Sequence, residues 1–404
     1  MEPVRDLLAA AVDLQPETVA LRRRLHRRPE VGLTLPETQA TVLEAIDGLP
    51  LRVTTGTAVT SVTGVLEGGR PGPTVLLRGD MDALPMPEDT GLDFASEVPG
   101  VMHACGHDTH VAMLVGAAKL LSERQADLPG RVIFMWQPGE EGFGGAPIML
   151  DEGVLDAAGT PVDSAFALHI TTQHPSGVIG VRSGPAMASS DTIRILVTGR
   201  GGHASNPTVA LDPIPVAAAI VQAIQTMVTR EVSVFDPAVV TIARIAAGTT
   251  DNVIPETAEM LGTMRALSEQ TRAQVKEKLH RLVPAIAAAL GATAELTIEE
   301  GYPVTVNAAA PADLVHSTTL GLIGPDRARL ERDPIMGAED WSYVLQRVPG
   351  SMSWLGACPP GLDPATAPTN HSNRVIFDED AMAVGVATHT AVALAALEGG
   401  ASAG

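Results

Sequence analysis

The segment HACGHDTH, residues 103–110, contains three histidines, one cysteine and one aspartate in eight positions. Thiolate and imidazole are the ligands that zinc and similar transition metals prefer in proteins. Cys105 and His107 stand two residues apart in a predicted turn before a helix, and such a turn can direct both side chains at one point. Taken alone, the segment is compatible with either a metal site or a solvated histidine-rich loop.

More side chains of the same kind stand at or just after the ends of other predicted strands: Asp80, Asp82, Glu140, Glu141 and His169. In a parallel α/β sheet, the carboxyl ends of the strands line one common crevice. Each of these groups by itself could be a solvated turn carboxylate or a hydrogen-bonded core histidine. Because they all stand at strand ends, we predict that they converge with the cysteine-histidine segment on one site.

The order of the predicted elements indicates an α/β fold. Strands alternate with helices through the first half of the chain, which predicts a mainly parallel sheet with helices on both faces. Near Met187 the pattern changes to β-α-β-β-α-β, typical of a small open sheet with two helices on one face. The first pattern returns at about Pro303. We therefore predict a discontinuous larger domain, residues 1–187 and 303–404, interrupted by an inserted α+β domain at 188–302.

Length and composition exclude several classes of protein. A chain of 404 residues is long for a single hydrophobic core, and a formal net charge of -20 argues against nucleic acid as a partner. Two cysteines, Cys105 and Cys358, cannot form a disulfide framework, which favours a reducing cytoplasm. The N-terminal residues lack the pattern of a signal peptide, and no apolar run of about 18 residues suggests a membrane span.

Seven segments, in the order in which they occur, resemble the M20 metallopeptidase family. They are GDMDALP, MHACGHDTH, QPGEEGFGG, ALHI, GGHAS, DNVIP and NHSNRVIFDED. The resemblance is greatest to the amidohydrolase branch, which hydrolyses N-acyl-amino acids, hippurate and indole-acetyl-amino acids, and it covers almost the whole chain. It implies a two-metal catalytic domain that carries an inserted dimerisation or lid domain, the latter corresponding to residues 188–302.

The resemblance implies five metal ligands: Cys105, His107, Glu141, His169 and His371. Five ligands are too many for one tetrahedral catalytic ion with an open position, but they suit two ions that share the Cys105 thiolate. The implied ions are divalent, either Mn²⁺ or Zn²⁺, with Co²⁺ or Ni²⁺ as alternatives. Asp82 and Asp108 are interpreted as partners that fix the orientation of the imidazoles. Asp80 replaces a histidine of many M20 peptidases, a departure that the amidohydrolase branch shares.

The resemblance also implies residues that act on the substrate. Glu140, beside a ligand, would be the general base that takes a proton from water as the water attacks an amide carbonyl. In the family, the GGHAS loop presents its histidine, here His203, to the active site of a partner subunit, where it helps to hold the oxyanion. Asn252 and Arg265 match positions that contact the substrate. A guanidinium suits a free α-carboxylate, although Arg265 could also be an exposed strand residue.

Two other motifs are poor matches to their contexts. VTGRGGHA contains the G-x-G-x-x-A pattern of dinucleotide-binding proteins, which would suggest a nicotinamide oxidoreductase. Pro207 and Pro213 interrupt the helix that should follow, and no carboxylate ends a second strand about 20 residues further on. GASAG around Ser402 matches a serine-hydrolase pattern, but no strand-turn-helix surrounds it and no histidine follows it.

These observations predict a cytoplasmic, homodimeric, two-metal hydrolase that cleaves the amide bond of an N-acyl amino acid. Assembly of the dimers into a larger homo-oligomer is also compatible with the sequence. The substrate would be a small molecule, with neither nucleic acid nor a membrane as a partner. The alternatives are a metallo-dipeptidase and a non-catalytic dimer that binds acyl-amino acids. The presence of Glu140 favours an enzyme, because binding alone needs no base.

Overall fold

The computed structural model describes residues 4–401, so Ser402 lies outside it, and the chain divides into two compact units. Unit 1 contains the described residues up to Gly184, Val306–Asp333 and the described residues from Asp340 onward. Unit 2 contains Pro185–Thr305 and Pro334–Glu339. The long segment of unit 2 begins and ends three residues outside the predicted range 188–302, and its short segment was not part of that prediction.

Helices and strands alternate along much of the chain. The described helices are α1 (Val4–Arg27), α2 (Pro36–Ala45), α3 (His107–Ser122), α4 (Gly145–Asp151), α5 (Pro213–Glu231), α6 (Glu269–Ala289), α7 (Ala309–Ile323), α8 (Trp341–Leu345) and α9 (Ala381–Ala401). The described strands are β1 (Leu51–Thr55), β2 (Val62–Glu67), β3 (Arg70–Asp80), β4 (Pro129–Gln137), β5 (Ser164–Pro175), β6 (Ile179–Val181), β7 (Gly184–Met187), β8 (Asp191–Thr198), β9 (Gly202–His203), β10 (Ala238–Ala247), β11 (Val253–Ile254), β12 (Thr257–Ala266), β13 (Thr293–Glu300), β14 (Thr305–Asn307), β15 (Ala328–Leu330) and β16 (Gly350–Cys358).

The main sheet of unit 1 has the strand order β1-β2-β4-β3-β5-β16-β6-β15. Its centre is parallel, because β3 pairs in parallel with both β4 and β5, and β5 pairs in parallel with β16. Antiparallel pairs join β1 to β2, β2 to β4, and β16 to β6. The predicted α/β class with a mainly parallel sheet is confirmed. The carboxyl ends of β3 and β4 therefore lie at the same edge, as the site requires.

The central strands are continuous apolar runs, as expected where both faces of a parallel sheet are covered. In β3 every residue from Thr74 to Asp80 is buried, and β4 is buried along most of its length. Helix α3 packs against β3, and α1 and α9 contact each other and both contact α3 and α7. Gly79 permits the close approach of α3, because a Cβ there would lie 2.9 Å from the carbonyl oxygen of His110. This glycine thus lets the start of α3 lie close to the end of β3.

Helix α9 corrects the expectation that the chain has no apolar run of membrane-spanning length. Residues Ala381–Gly399 have the length and hydropathy of a span, and 78% of that window is buried within the protein. The helix contacts α1, α3, α7 and several strands of the main sheet. Its apolar surface is therefore explained by its position in the core, where a helix can be hydrophobic all round.

A buried group of charges connects α1 to the start of α3. The Arg22 guanidinium lies 2.7 Å from Asp108 and 3.0 Å from Glu379, and His26 Nδ1 lies 2.8 Å from Asp108. Burial alone would raise the pKa of Asp108, but Arg22 and His26 hold it well below its ordinary value. Asp108 is therefore an ionised partner of α1, buried with its counter-charges.

Unit 2 has a four-stranded antiparallel sheet in the order β10-β12-β8-β13. Its elements follow the predicted β-α-β-β-α-β order: β8, α5, β10, β12, α6 and β13. Alternate residues of β8, including Ile193 and Ile195, join the apolar residues of α5 and α6 in one core. Asp212 caps α5 by accepting from the backbone N–H of Ile214, and Ser268 caps α6 in the same way.

The buried charges predict different effects for two neighbouring arginines of α1. Arg22→Leu should lower the free energy of unfolding by about 3–5 kcal/mol, because it leaves the Asp108 carboxylate buried without its guanidinium partner. Arg24→Leu is the matched control and should change it little, since Arg24 and Glu44 are 52% and 67% exposed. Urea unfolding followed by circular dichroism measures both. Equal losses in the two variants would contradict the assignment of Asp108 to this group.

Candidate metal centre

The turn before α3 holds Cys105 and His107 on either side of a glycine. Gly106 has φ of +90°, a left-handed conformation that side-chain-bearing residues rarely adopt. A Cβ at Gly106 would also collide with the side chain of Ile170 in β5 and crowd the ring of Phe377. The glycine therefore lets the turn lie directly against β5, so that the thiol and the imidazole face the residues of that strand.

Two groups of potential ligands share the thiol of Cys105. In each group the ligand atoms all lie within 4.8 Å of one another. The first group consists of Cys105, His107 and His169, and the second of Cys105, Glu141 and His371. The Cys105 Sγ atom lies 3.4 Å from His169 Nε2 and 3.3 Å from His371 Nε2. Unit 1 therefore gathers all five residues predicted as ligands around one sulfur atom.

His169 reaches the site from within β5 rather than from its end, which differs from the expectation. The ladder between β3 and β5 stops at the pair Arg78 and Ala167, two residues before His169. Beyond that point β5 continues beside β16, where His169 pairs with Trp354. His169 is therefore level with Asp80, the last residue of β3, although its own strand continues to Pro175.

Backbone carbonyls fix which ring nitrogens face the site. His107 Nδ1 lies 2.8 Å from the carbonyl oxygen of Asp82, and His169 Nδ1 lies 2.8 Å from that of Ile170. A carbonyl can only accept, so both Nδ1 atoms carry hydrogen, and both Nε2 atoms present a lone pair when the rings are neutral. His107 Nε2 is buried without a hydrogen bond, although Asp80 lies 3.3 Å away. Such a buried acceptor fits a cation.

The pKa values of the group reflect its crowding. Burial lowers the pKa of His169 well below its usual value, which keeps this ring neutral. Burial would do the same to His107, but Asp80 and Cys105 raise its pKa well above the usual value. Burial, with Glu141, raises the pKa of the Cys105 thiol. Hydrogen bonds to Cys105 and Glu141 raise the pKa of His371 to about 10. Divalent ions bound here would have to displace protons, as thiolate-containing metal sites do.

Asp82 holds the turn that carries the two adjacent glutamates. Its carboxylate accepts hydrogen bonds from the backbone N–H groups of Glu140 and Glu141, both at 2.9 Å. Glu140 is only 6% exposed, and its carboxylate lies within 4.8 Å of ligand atoms of His107 and Glu141. Asp82 thus orients His107 through its main-chain carbonyl, while its side chain positions the turn. The prediction for this residue described only the orientation of an imidazole.

Asp108 faces away from the predicted ligands, in contrast to its expected part in orienting them. Its hydrogen bonds go to Arg22 and His26, and His26 is not one of the predicted ligands. The reason is helical geometry, because successive residues of α3 are rotated by about 100° around its axis. When His107 faces the strand ends, the next side chain faces α1. Asp108 therefore supports the position of the helix and not the orientation of a ligand.

Asp80 lies beside the site, where its carboxylate contacts an arginine and a second histidine. One oxygen lies 2.7 Å from Arg78 Nη1, and the other lies 2.5 Å from His110 Nδ1. Burial would raise the pKa of Asp80. Arg78, His107 and His110 nevertheless hold that pKa well below its usual range. His110 Nε2 accepts from the backbone N–H of Ile170 at 2.8 Å. The sequence pattern gave no specific function to His110, whose partners lie at the end of β3 and within β5.

The remaining predicted residues belong to unit 2. His203 and Asn252 are exposed neighbours, because β9 pairs with β11 and the N–H of Ala204 donates to the carbonyl of Asn252. His203 Nδ1 accepts from the backbone N–H of Ser205 at 3.1 Å, which places the hydrogen of a neutral ring on Nε2. Arg265 is half-buried in β12, and burial lowers its pKa.

The chain is similar to known proteins over nearly its whole length. The model described as peptidase family M20/M25/M40 matches residues 76–395. The chain is 38% identical over 398 residues to thermostable carboxypeptidase 1 of Saccharolobus solfataricus. The alignment covers 98% of this chain and 99% of that protein. It is 38% identical over 339 residues to the N-acetylcysteine deacetylase of Bacillus subtilis, covering 84% and 87% of the two.

The fold is also similar to that of a solved structure. Bacillus subtilis YXEP, a dinuclear metal binding peptidase from the M20 family, has a TM-score of 0.82 and 32% sequence identity to this chain. The alignment covers 96% of this chain and 99% of that one. The similarity therefore includes both units and not only the strands around the site.

The shared thiol predicts how metal content should respond to substitution. The wild type should bind about two divalent ions per chain, and Cys105→Ala should lower the occupancy of both, because the thiol belongs to both ligand groups. His371→Ala should lower the occupancy of one ion. Equilibrium dialysis against Zn²⁺ or Mn²⁺ followed by elemental analysis measures this. Cys358→Ala, which removes the other buried thiol, should leave the content unchanged, and a wild type that saturates at one ion would contradict the prediction.

Proposed function

Because this chain belongs to peptidase family M20/M25/M40, we propose that it is a two-metal amidohydrolase that releases an amino acid from an N-acyl amino acid. The observation that carries the proposal is the pair of ligand groups around Cys105, with the Glu140 carboxylate beside them. Binding alone would need the ligands. It would not need a second, buried carboxylate close to them.

In this proposal each group of ligands holds one ion. Cys105, His107 and His169 hold the first, and Cys105, Glu141 and His371 hold the second. The donor set of thiolate, imidazole and carboxylate suits Zn²⁺ or Mn²⁺, and also Co²⁺ or Ni²⁺. When bound, two such ions lower the pKa of a water molecule and polarise the amide carbonyl.

Glu140 is proposed as the general base. Its carboxylate would accept a proton from the attacking water and then deliver that proton to the nitrogen of the leaving amino acid. Asp82 supports this role, because its two hydrogen bonds to the backbone N–H groups of Glu140 and Glu141 fix the turn that carries both carboxylates. These two adjacent residues would thus have different roles: Glu141 would bind an ion, and Glu140 would transfer a proton.

His203 is proposed to hold the carbonyl oxygen as negative charge develops on it. The N–H of Ser205 occupies His203 Nδ1, so the neutral ring offers its Nε2–H as a hydrogen-bond donor. His203 is exposed on unit 2, whereas the predicted ligands belong to unit 1. We therefore propose a homodimer in which His203 serves the active site of the partner subunit. Asn252 beside it, and Arg265, would contact the substrate, the latter at its free α-carboxylate.

What the relatives have in common supports the proposed substrate class. A carboxypeptidase and an N-acetylcysteine deacetylase both break an amide bond and release an amino acid whose α-carboxylate is free. The two reactions differ in the acyl side. The similarity to the carboxypeptidase also favours a second candidate, a peptidase acting on short peptides such as dipeptides. A reducing cytoplasm is the proposed location, because the Cys105 thiol must stay reduced to bind metal.

Substitution of the two adjacent glutamates tests the proposed division of work. Glu140→Gln should keep both ions but lower kcat by about 10²–10⁴-fold, because the water loses its proton acceptor. Glu141→Gln should instead weaken binding of one ion. Metal content and steady-state hydrolysis of N-acetyl amino acids, N-benzoyl amino acids and dipeptides measure both effects.

Two outcomes would count against this scheme. If Glu140→Gln lost an ion and Glu141→Gln kept both, the base and the ligand would be exchanged. If dipeptides were hydrolysed with a higher kcat/KM than every N-acyl amino acid in the panel, the chain would be a peptidase.

The proposed contribution of His203 can be tested by subunit exchange. His203→Ala should lower kcat by about 10²–10³-fold and leave the metal content intact, because it removes one donor to the oxyanion. A mixed dimer of His203→Ala and Glu140→Gln chains contains one site with both an intact base and an intact donated histidine. Such dimers should regain about half of the wild-type activity. If mixed dimers form and no activity returns, His203 does not act between subunits.

A further inference from the structure

Asn370 lies directly before His371 and bridges two parts of the site. Its Nδ2 atom donates to the carbonyl oxygen of Cys105 at 2.9 Å and to that of Ile170 at 3.0 Å. An amide NH₂ group has two hydrogens, so both are used. One side chain thus ties the turn before α3 to strand β5.

The two carbonyls that Asn370 contacts are themselves part of the site. The first belongs to Cys105, the residue shared by both ligand groups. The second, from Ile170, also accepts the Nδ1–H of His169 at 2.8 Å and so fixes the orientation of that ring. Asn370 is therefore in direct contact with the backbone of one predicted ligand, with the carbonyl that orients another, and is adjacent in sequence to a third.

His371 depends on its backbone more than the other predicted ligands do. It has φ of +68°, a left-handed conformation, and is the one non-glycine residue with positive φ among the described residues. Its side chain is 54% exposed, so packing does little to hold the ring. The hydrogen bonds that fasten its segment include those of Asn370, the His371 N–H to Ala104 at 2.9 Å, Thr172 to Pro368 at 2.9 Å, and the Asp89 N–H to the carbonyl of Asn373 at 2.8 Å.

The first ligand group has further support that does not come from Asn370. His107 begins α3 and donates to the carbonyl of Asp82. His169 lies in β5, and the residues before and after it in that strand pair with β16. Loss of the Asn370 amide would leave these elements in place, whereas it would remove two of the bonds that hold the segment carrying His371.

We propose that Asn370 is a positioning residue that sets His371 at the distance from Cys105 needed to complete the second ligand group. This rests on the proposed two-metal function, because it requires two ions that bind separately. Asn370 touches neither ion nor substrate. It acts through the backbone of Cys105 and through the strained backbone of His371.

Asn370→Asp tests this with little change of shape. The carboxylate cannot donate and would face two carbonyl oxygens, so the contact changes from attractive to repulsive. Stepwise titration of the metal-free protein with Zn²⁺, in competition with a chromophoric chelator, gives a Kd for each ion. His371→Ala identifies the step that belongs to the second group. Asn370→Asp should raise the Kd of that step by about 10–100-fold and leave the other within about threefold.

Two further variants separate positioning from other effects. Asn370→Ala removes the donors without adding charge and should weaken the same step. Asn373→Asp, in the same segment, makes the same change of charge and should leave both Kd values within about twofold, since it leaves the Asn370 contacts intact. Weakening of both steps to the same degree in Asn370→Asp and Asn370→Ala would mean that the residue supports the fold in general, which overturns the proposal.

The outcome also distinguishes this proposal from the proposed function. If the wild type binds two ions and Asn370→Asp binds them equally well, the positioning role is wrong while the two-metal function stands. If the wild type itself binds a single ion, the two-metal function fails and the positioning role fails with it.

Discussion

The site depends on the left-handed turn at Gly106. This residue lets Cys105 and His107 approach β5 so closely that a methyl group on the turn would collide with Ile170. Because of that approach, the Cys105 sulfur lies within 3.4 Å of imidazoles from β5 and from the segment after β16. Every other feature of the site, including the second ligand group, is arranged around this sulfur atom.

Hydrogen bonds to the main chain provide most of the rigidity around that turn. Carbonyls of Asp82 and Ile170 orient two imidazoles, and the Asp82 carboxylate holds the turn with the two glutamates. A backbone carbonyl cannot change its protonation state, so it fixes the tautomer of a histidine at any pH at which the ring is neutral. The ionised groups, Asp80 with Arg78 and Asp108 with Arg22, lie next to the predicted ligands and stabilise the end of β3 and the start of α3.

The sequence predicted the α/β class, the order of elements in both units and a set of potential ligands that the structure gathers around one sulfur. These predictions succeed because they rest on local properties. Apolar runs bounded by turns determine strands, and a potential ligand such as His107 is recognised from its residue type and its motif. The convergence of strand ends was also predictable, since parallel strands must end at a common edge.

What only the tertiary structure decided is how each side chain is used. Asp108 stands next to a predicted ligand in sequence, yet faces Arg22, because the helix rotates each successive side chain to a new direction. His110 and Asn370 lie within quoted motifs, but the motifs do not indicate their partners: Asn370 contacts carbonyls that lie 265 and 200 residues away in the chain, and His110 contacts the Asp80 carboxylate and the N–H of Ile170. The sequence by itself thus determined which chemical groups are present. Their hydrogen-bond partners were fixed only when the sheet brought those segments together, because a backbone carbonyl is the same in every residue and has no sequence signature.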